Sequence, residues 1–124
     1  QPRPGDPVTG SAAAAWVVDP AVRSGVQQAM TRGAGVLRSA TSLAQTAATL
    51  VEAGGTRSRP NTASWEATNL VTVATALVAA AERREETRGN HWREDFPDSR
   101  PEWLGHLVAR VDDDGHLDHT WEAL

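Results

Sequence analysis

Residues 61–89 read NTASWEATNLVTVATALVAAAERREETRG and contain the clearest helical pattern in the chain. Their apolar side chains recur at the spacing of one helical face. That stripe consists of Trp65, Leu70, Ala74, Leu77, Val78 and Ala81, broadened by Val71 and Val73. Asn61 or Thr62 can cap its start, and Gly89 predicts a left-handed stop at its end. Since only one side is polar, the pattern predicts a central helix that packs on two neighbours.

Two shorter helical patterns precede this one. Asp19 and Pro20 form a helix-start signal, with the carboxylate as N-cap and proline in the first turn. The apolar residues that follow at helical spacing are Val22, Val26, Ala29 and Met30. Gly33 and Gly35 interrupt the pattern, which predicts a bend or a break there.

The second pattern places five residues on one face: Leu37, Ala40, Ala44, Ala47 and Val51. Leu43 and Leu50 widen that stripe, and Gly54 with Gly55 predicts its end. Residues 1–18 are interrupted by proline and glycine and are interpreted as a linker.

The C-terminal residues change to a period of two. Alternating side chains run from Leu107 to Val111 and from Leu117 to Trp121, with Asp114-Gly115 between them, which predicts a β-hairpin. The predicted fold class is therefore mainly α: a three-helix antiparallel bundle, spectrin-repeat-like, with a C-terminal hairpin. Residues 19–97 would form the bundle with a polar segment, and residues 98–124 the hairpin and tail of the same domain.

Bulk composition excludes several classes of function. The 124 residues include no cysteine, so disulfides and thiolate metal sites are ruled out, and the net charge of −4 argues against a nucleic-acid partner. No apolar run is long enough to cross a membrane. Because the chain starts at Gln1 and its only methionine is Met30, we expect it to be a piece of a longer protein.

Short motifs assign no catalytic, cofactor-binding or metal-binding residue. Gly33-Ala34-Gly35 lacks the third glycine of a dinucleotide loop, because position 38 is Arg38. The acidic run that begins at Asp112 lacks the glycine and glutamate of a calcium-binding EF-hand loop. The four histidines, at positions 91, 106, 116 and 119, are interpreted as surface residues.

The remaining feature is residues 86–97, ETRGNHWREDFP, called the polar segment below. Its charged groups could pair locally at a helix end, or they could serve a docking surface or a site. A buried arginine–carboxylate set is costly unless every charge is paired. The residues themselves leave both interpretations open.

The polar segment resembles a known motif. Glu86-Thr87-Arg88-Gly89-x-His91-x-Arg93-x-Asp95-Phe96-Pro97 is similar to the C-terminal helical domain of succinate dehydrogenase, fumarate reductase and L-aspartate oxidase flavoproteins. Residues 69–74 and the succession from Gln28 to Arg38 resemble the same family, so the likeness covers roughly residues 20–117. Asn90 before the histidine and the short tail resemble the L-aspartate oxidases most.

This resemblance implies a function for a parent enzyme. FAD would accept hydride from L-aspartate to give iminoaspartate for NAD biosynthesis, in the cytoplasm, and the flavin site would lie outside this chain. The partner would be the flavin-binding domain of the same polypeptide, with neither nucleic acid nor membrane involved, although the isolated chain could self-associate. We therefore assign interdomain docking to Arg88, His91, Arg93 and Asp95. We expect the substitution Arg93→Ala to have a mild effect in this chain alone. The alternatives are a free-standing helical interaction module and the same domain of a succinate dehydrogenase or fumarate reductase flavoprotein.

Overall fold

A computed structural model describes residues 17–124, so most of the predicted linker lies outside the described residues. The elements in chain order are a 3-10 turn Pro20–Val22, α1 Arg23–Gly33, β1 Leu37–Arg38, α2 Ala40–Gly54, α3 Thr62–Arg83, β2 Trp92–Arg93, a 3-10 turn Pro101–Trp103, β3 Gly105–Val111 and β4 Leu117–Ala123. This confirms the prediction of a three-helix bundle with a C-terminal hairpin.

Polar side chains define where the helices begin. The Asp19 carboxylate accepts the Ala21 N–H at 2.9 Å, as the start signal predicted. Ser39 caps the start of α2 and Asn61 caps the start of α3, each through a reciprocal capping box with the serine three residues later. These caps satisfy backbone N–H groups that have no partner inside the helix.

The core lies between the three helices and consists mainly of small apolar side chains. α2 contacts both α1 and α3, and α3 also contacts α1 and the first 3-10 turn. The buried cluster is Val18, Val26, Ala34, Leu43, Leu50, Ala53, Ala67, Val71, Ala74, Val78 and Ala81. Short side chains allow close approach of the helices, so the packing depends on small differences in side-chain volume.

The predicted face of α2 was wrong. Leu37 lies in β1 rather than in the helix, and Val51 is 75% exposed. The buried face instead carries Leu43, Thr46, Leu50 and Ala53. The error arose because alanine is compatible with either face, whereas the two leucines that were treated as secondary mark the true one.

The predicted position of α3 was correct, but the buried stripe is narrower and the helix shorter than predicted. Trp65 and Leu77 are partly exposed, and Val73 is largely exposed. The helix ends at Arg83 rather than at Gly89. Gly89 does adopt a positive φ of 56°, but in a separate turn that places the N–H of Arg88 against the carbonyl of His91.

The C-terminal hairpin packs on the end of α3. β3 and β4 are antiparallel, with Leu107 opposite Trp121 and Ala109 opposite His119. Gly115 adopts φ of 84° at the turn, as the Asp-Gly signal predicted. His119 was expected at the surface but is buried, and its Nε2–H donates to the Ala76 carbonyl of α3 at 3.2 Å.

The acidic run beside this turn has a structural role. The Asp112 carboxylate accepts the backbone N–H groups of Asp114 and His116, at 3.0 and 2.8 Å. Such bonds stabilise a tight turn in the manner of an Asx-turn.

One further pairing positions the polar segment. β1 and β2 form a two-stranded parallel sheet, in which Leu37 is opposite Trp92 and Arg38 is opposite Arg93. The pairing joins the end of α1 to the segment that follows α3. Within residues 17–124, none of the helices has the length and apolar character needed to cross a membrane.

Candidate functional site

Glu86 is the centre of the polar segment. Its side chain is fully buried, at 0% exposure. One carboxylate oxygen accepts Nε–H bonds from Arg84 at 2.9 Å and from Arg88 at 3.0 Å. The other accepts the backbone N–H of Arg100 at 2.9 Å. This one carboxylate therefore joins the end of α3 to the chain that leads into the hairpin.

The environment of Glu86 favours its ionised form. Burial alone would raise the pKa of the carboxyl group, but the hydrogen bonds from Arg88, the Arg100 backbone and Arg84 together lower it to about 2. A carboxylate whose pKa is lowered by folding stabilises the native state above its ordinary pKa of 4.5. That contribution is lost as the pH falls from 4.5 toward 2.

Arg93 binds the C-terminal end of α3. Its side chain is only 2% exposed, and Nη1 donates to the carbonyls of Ala81 at 2.9 Å and Glu82 at 3.0 Å. These are among the last helical carbonyls, which lack intrahelical donors, and the positive charge also complements the helix dipole. The guanidinium lies 5.0 Å from the centroid of the Phe96 ring.

The same guanidinium forms a two-point ion pair with Asp95. The distances are 2.8 Å from Nε to Oδ1 and 2.7 Å from Nη2 to Oδ2. Asp95 also accepts the backbone N–H of Ala40, the first residue of α2, at 3.0 Å. These bonds hold the pKa of Asp95 well below its ordinary value and raise that of Arg93, with the Arg93–Asp95 bond as the largest cause of both shifts.

His91 is held as a neutral imidazole. Its Nε2 lies 2.9 Å from the Arg84 carbonyl, and its Nδ1 lies 3.0 Å from Nη1 of Arg38. A carbonyl can only accept and a guanidinium can only donate, so Nε2 carries the proton and Nδ1 accepts. Burial and the positive charges of Arg38, Arg93 and Arg84 lower the pKa of His91, although its bond to Arg84 acts in the opposite direction.

Arg38 connects His91 to the end of α1. Its Nε donates to the carbonyls of Ala34 at 3.2 Å and Gly35 at 3.0 Å, just after the helix. Burial lowers the pKa of this guanidinium. Arg38 therefore binds α1 on one side and the polar segment on the other.

Arg84 connects the polar segment to the hairpin. Its guanidinium donates to the carbonyls of Trp103 and Gly105, the latter at 3.2 Å. It also lies within 6.0 Å of the ring centroids of Trp103 and Trp121, which meet edge to face at 5.3 Å.

The structure brings all four predicted docking residues into one group of side chains, called the polar cluster below. Its members are Arg38, Arg84, Glu86, Arg88, His91, Arg93, Asp95 and Arg100. Arg93 and Asp95 bind each other directly, Arg88 binds Glu86, and His91 binds Arg38. Local pairing of charges is thus present, and the docking role remains a prediction. The expectation that Arg93→Ala is mild in this chain alone does not fit the bonds of Arg93, because they all lie within the chain.

Sequence reasoning missed the other members of the polar cluster. Glu86 was recognised only as the first residue of the motif, Arg84 was given no role in a site, and Arg38 appeared only in the excluded dinucleotide loop and in the resemblance. The available signal was a glutamate with an arginine two residues before it and another two residues after it, since Glu86 lies between Arg84 and Arg88. Nothing in the spacing of Arg38, far upstream, indicated that it would contact His91.

The cluster is suited to holding structure rather than to transferring protons. Both Glu86 oxygens and both His91 nitrogens are engaged, and no buried side-chain nitrogen or oxygen within residues 17–124 lacks a partner. A general base needs a free lone pair within reach of the substrate proton. The geometry instead fixes the relative positions of α1, α2, α3 and the hairpin.

The glycines near the end of α1 also serve packing. A Cβ at Gly33 would lie 2.0 Å from Oγ1 of Thr46, and one at Gly35 would lie 2.5 Å from the Thr31 carbonyl. Both positions face the chain's own backbone or side chains at close range. They do not form the open, phosphate-facing loop that a dinucleotide needs.

Comparison with known proteins agrees with this architecture. Residues 23–124 match the family described as "Fumarate reductase flavoprotein C-term". The chain is 48% identical to the L-aspartate oxidase of Streptomyces coelicolor, over 82% of this chain and 19% of that protein. It is 37% identical to the L-aspartate oxidase of Mycobacterium leprae, over 77% of this chain and 18% of that protein.

Solved structures show the same fold. A chain of the FrdA mutant of E. coli quinol fumarate reductase superposes with a TM-score of 0.71 and 26% identity, covering 86% of this chain and 21% of that one. This chain thus spans about a fifth of the length of each of these relatives. The family match over residues 23–124, the close sequence relatives and the shared fold establish that the chain belongs to the C-terminal domain family of the fumarate reductase flavoproteins.

Proposed function

We propose that this chain is the accessory C-terminal domain of an FAD-dependent L-aspartate oxidase. The observation that carries the proposal is the 48% identity to the Streptomyces coelicolor L-aspartate oxidase over 82% of the chain. The domain would pack on the flavin-binding domain of the same cytoplasmic polypeptide, and it would not be catalytic by itself. Its role would be to stabilise the geometry of that flavin domain.

The reaction of the parent protein would be the oxidation of L-aspartate to iminoaspartate. The substrate would lose a hydride to the flavin and a proton to a base, and oxygen or fumarate would reoxidise the flavin. The product would enter quinolinate synthesis and so NAD biosynthesis. FAD and the reacting groups would lie on the flavin-binding part, because Glu86, Asp95 and His91 of this domain are occupied by bonds to its own arginines and backbone.

The flavoprotein of a succinate dehydrogenase or fumarate reductase is the second candidate parent. It is favoured by 33% identity to a fumarate reductase (CoM/CoB) chain of Methanothermobacter marburgensis, over 66% of this chain and 17% of that protein. The superposition on the E. coli fumarate reductase chain supports the same fold. Both similarities are weaker in identity than that to the Streptomyces protein.

Substrate-dependent bleaching of the flavin separates these candidates. The full-length protein that contains this chain is purified with its flavin and mixed anaerobically with L-aspartate or with succinate. We expect L-aspartate to bleach the flavin absorbance and succinate to leave it unchanged. Bleaching by succinate alone would contradict the proposal. A full-length protein without any flavin would instead favour a free-standing interaction module.

A further inference from the structure

The parallel sheet of β1 and β2 has an apolar outer face. Leu37 and Trp92 are register partners, so they lie on the same side of the sheet, and they are 48% and 50% exposed. Arg38 and Arg93 lie on the opposite side, where Arg93 is buried against the end of α3 and Arg38 is only partly buried. Parallel sheets are normally covered on both faces. Within residues 17–124, only the face toward the bundle is covered.

Beside this face lies a shallow depression of about 450 Å³. Val36, Arg38 and Trp92 line it, and Ala34, Gly35, Gly89 and Asn90 complete its lining. Val36 is 76% exposed. Exposed apolar side chains next to tryptophan and arginine are typical of the centre of a protein interface.

Arg38 differs in one respect from the other arginines of the cluster. Arg84, Arg88, Arg93 and Arg100 each form an ion pair with a carboxylate. Arg38, in contrast, binds two carbonyls and a neutral imidazole, and no ion pair joins it to any carboxylate of the described chain. A half-buried cation without a counter-ion is unfavourable, so this depression is suited to an incoming carboxylate.

We propose that the flavin-binding part of the same polypeptide docks over this face and the depression beside it, and places a carboxylate side chain in the depression against Arg38, between Val36 and Trp92. The inference rests on the proposed function, which gives the chain such a partner. The relatives are about five times longer than this chain, which leaves a large region to cover the face. A second copy of the domain fits less well, because a two-fold contact would bring the two Arg38 side chains toward each other.

Cysteine labelling tests whether the face is covered. The 124 residues contain no cysteine, so Val36→Cys and Val51→Cys each give the domain a single thiol. The two positions are matched, at 76% and 75% exposure in this domain. In the flavin-loaded full-length protein, maleimide labelling at position 36 should be about tenfold slower than at position 51, because a covered thiol reacts only when the interface opens. Equal rates at the two positions would overturn the inference.

Carbodiimide cross-linking tests the carboxylate. The 124 residues contain no lysine, so Arg38→Lys places the domain's only lysine amine at the depression, and Arg59→Lys places one at an exposed control position. In the flavin-loaded full-length protein, the first variant should give an amide cross-link to an Asp or Glu of the flavin-binding part, and the second should not. Cross-linking of position 38 to another copy of this domain, or equal cross-linking by both variants, would overturn the inference.

These results are independent of the substrate test. If the protein oxidises L-aspartate but is labelled equally at positions 36 and 51, the proposed function stands and the proposed docking face is wrong. If succinate bleaches the flavin and position 36 is protected from labelling, the docking face stands and the proposed substrate is wrong.

Discussion

Glu86 shows how one buried charge can determine the geometry of a whole segment. Its carboxylate receives three hydrogen bonds from Arg84, Arg88 and the Arg100 backbone, and its side chain is excluded from water. Removing one partner of a buried ion pair is strongly destabilising, because the remaining charge stays buried without compensation. The same reasoning does not apply to exposed pairs, which contribute little.

Replacement of this carboxylate should therefore be costly. We expect Glu86→Gln to lower the free energy of unfolding by about 3 kcal/mol, measured by urea denaturation with an unchanged m-value. The matched control is Glu66→Gln, which removes the ion pair with Arg23 between side chains that are 56% and 52% exposed. That control should change stability by less than about 1 kcal/mol. Equal effects of the two variants would contradict the structural role of Glu86.

His91 leads to a prediction about pH. Since folding lowers its pKa below the ordinary value of 6.5, the unfolded state binds a proton more readily than the native state. The contribution of His91 to stability is therefore complete above pH 6.5 and declines as the pH falls below it. Nitrogen-15 NMR of the imidazole should show the Nε2–H tautomer and a titration midpoint below 6.5. A proton on Nδ1 in the neutral form, or a midpoint above 6.5, would contradict the bonds to Arg84 and Arg38.

At the scale of the elements, the contact between α1 and α2 depends on Gly33. The space for a Cβ there is already occupied by Thr46 and by the Ser42 carbonyl, which lies 2.7 Å from the ideal Cβ position. Any side chain at this position must push the two helices apart. Overpacking of this kind typically costs about 1–3 kcal/mol.

Two glycine substitutions in one helix test this contact. We expect Gly33→Ala to destabilise the domain by about 2 kcal/mol. Gly25→Ala should instead stabilise it by about 0.5 kcal/mol, because nothing lies within 4 Å of a Cβ there and alanine favours the helix. Thermal unfolding followed by circular dichroism measures both. A Gly33→Ala variant as stable as the parent chain would refute the close approach of α1 to α2.

The starts and turns of the elements could be predicted from local sequence chemistry. Which face of each helix is buried was harder to predict. Asp19 with Pro20 and Asp114 with Gly115 marked a helix start and a hairpin turn, because capping and positive φ require few residue types. The face of α2 could not be read from an alanine-rich pattern, since alanine is tolerated on either side. β1 was missed because Leu37 and Arg38 are too short a strand to show a period of two.

At the scale of the whole molecule, the polar segment was located from sequence but its contacts were not. The concentration of charge at residues 86–97 marked the site, and the resemblance indicated the family. The contacts of Arg38 with His91 and of Asp95 with Ala40 join residues more than 50 positions apart. Such pairs depend on how the helices pack, and no local pattern encodes them.

We infer that the polar cluster maintains the domain and that the chemistry lies on the flavin-binding part of the parent protein. The most direct test of this inference is the turnover of L-aspartate per bound flavin in the full-length protein carrying Glu86→Gln. We predict a lower melting temperature or weaker flavin retention, with turnover per bound flavin within about twofold of the parent protein. A fall of about 100-fold in turnover per flavin, at unchanged flavin content and melting temperature, would contradict the claim and place Glu86 in the reaction itself.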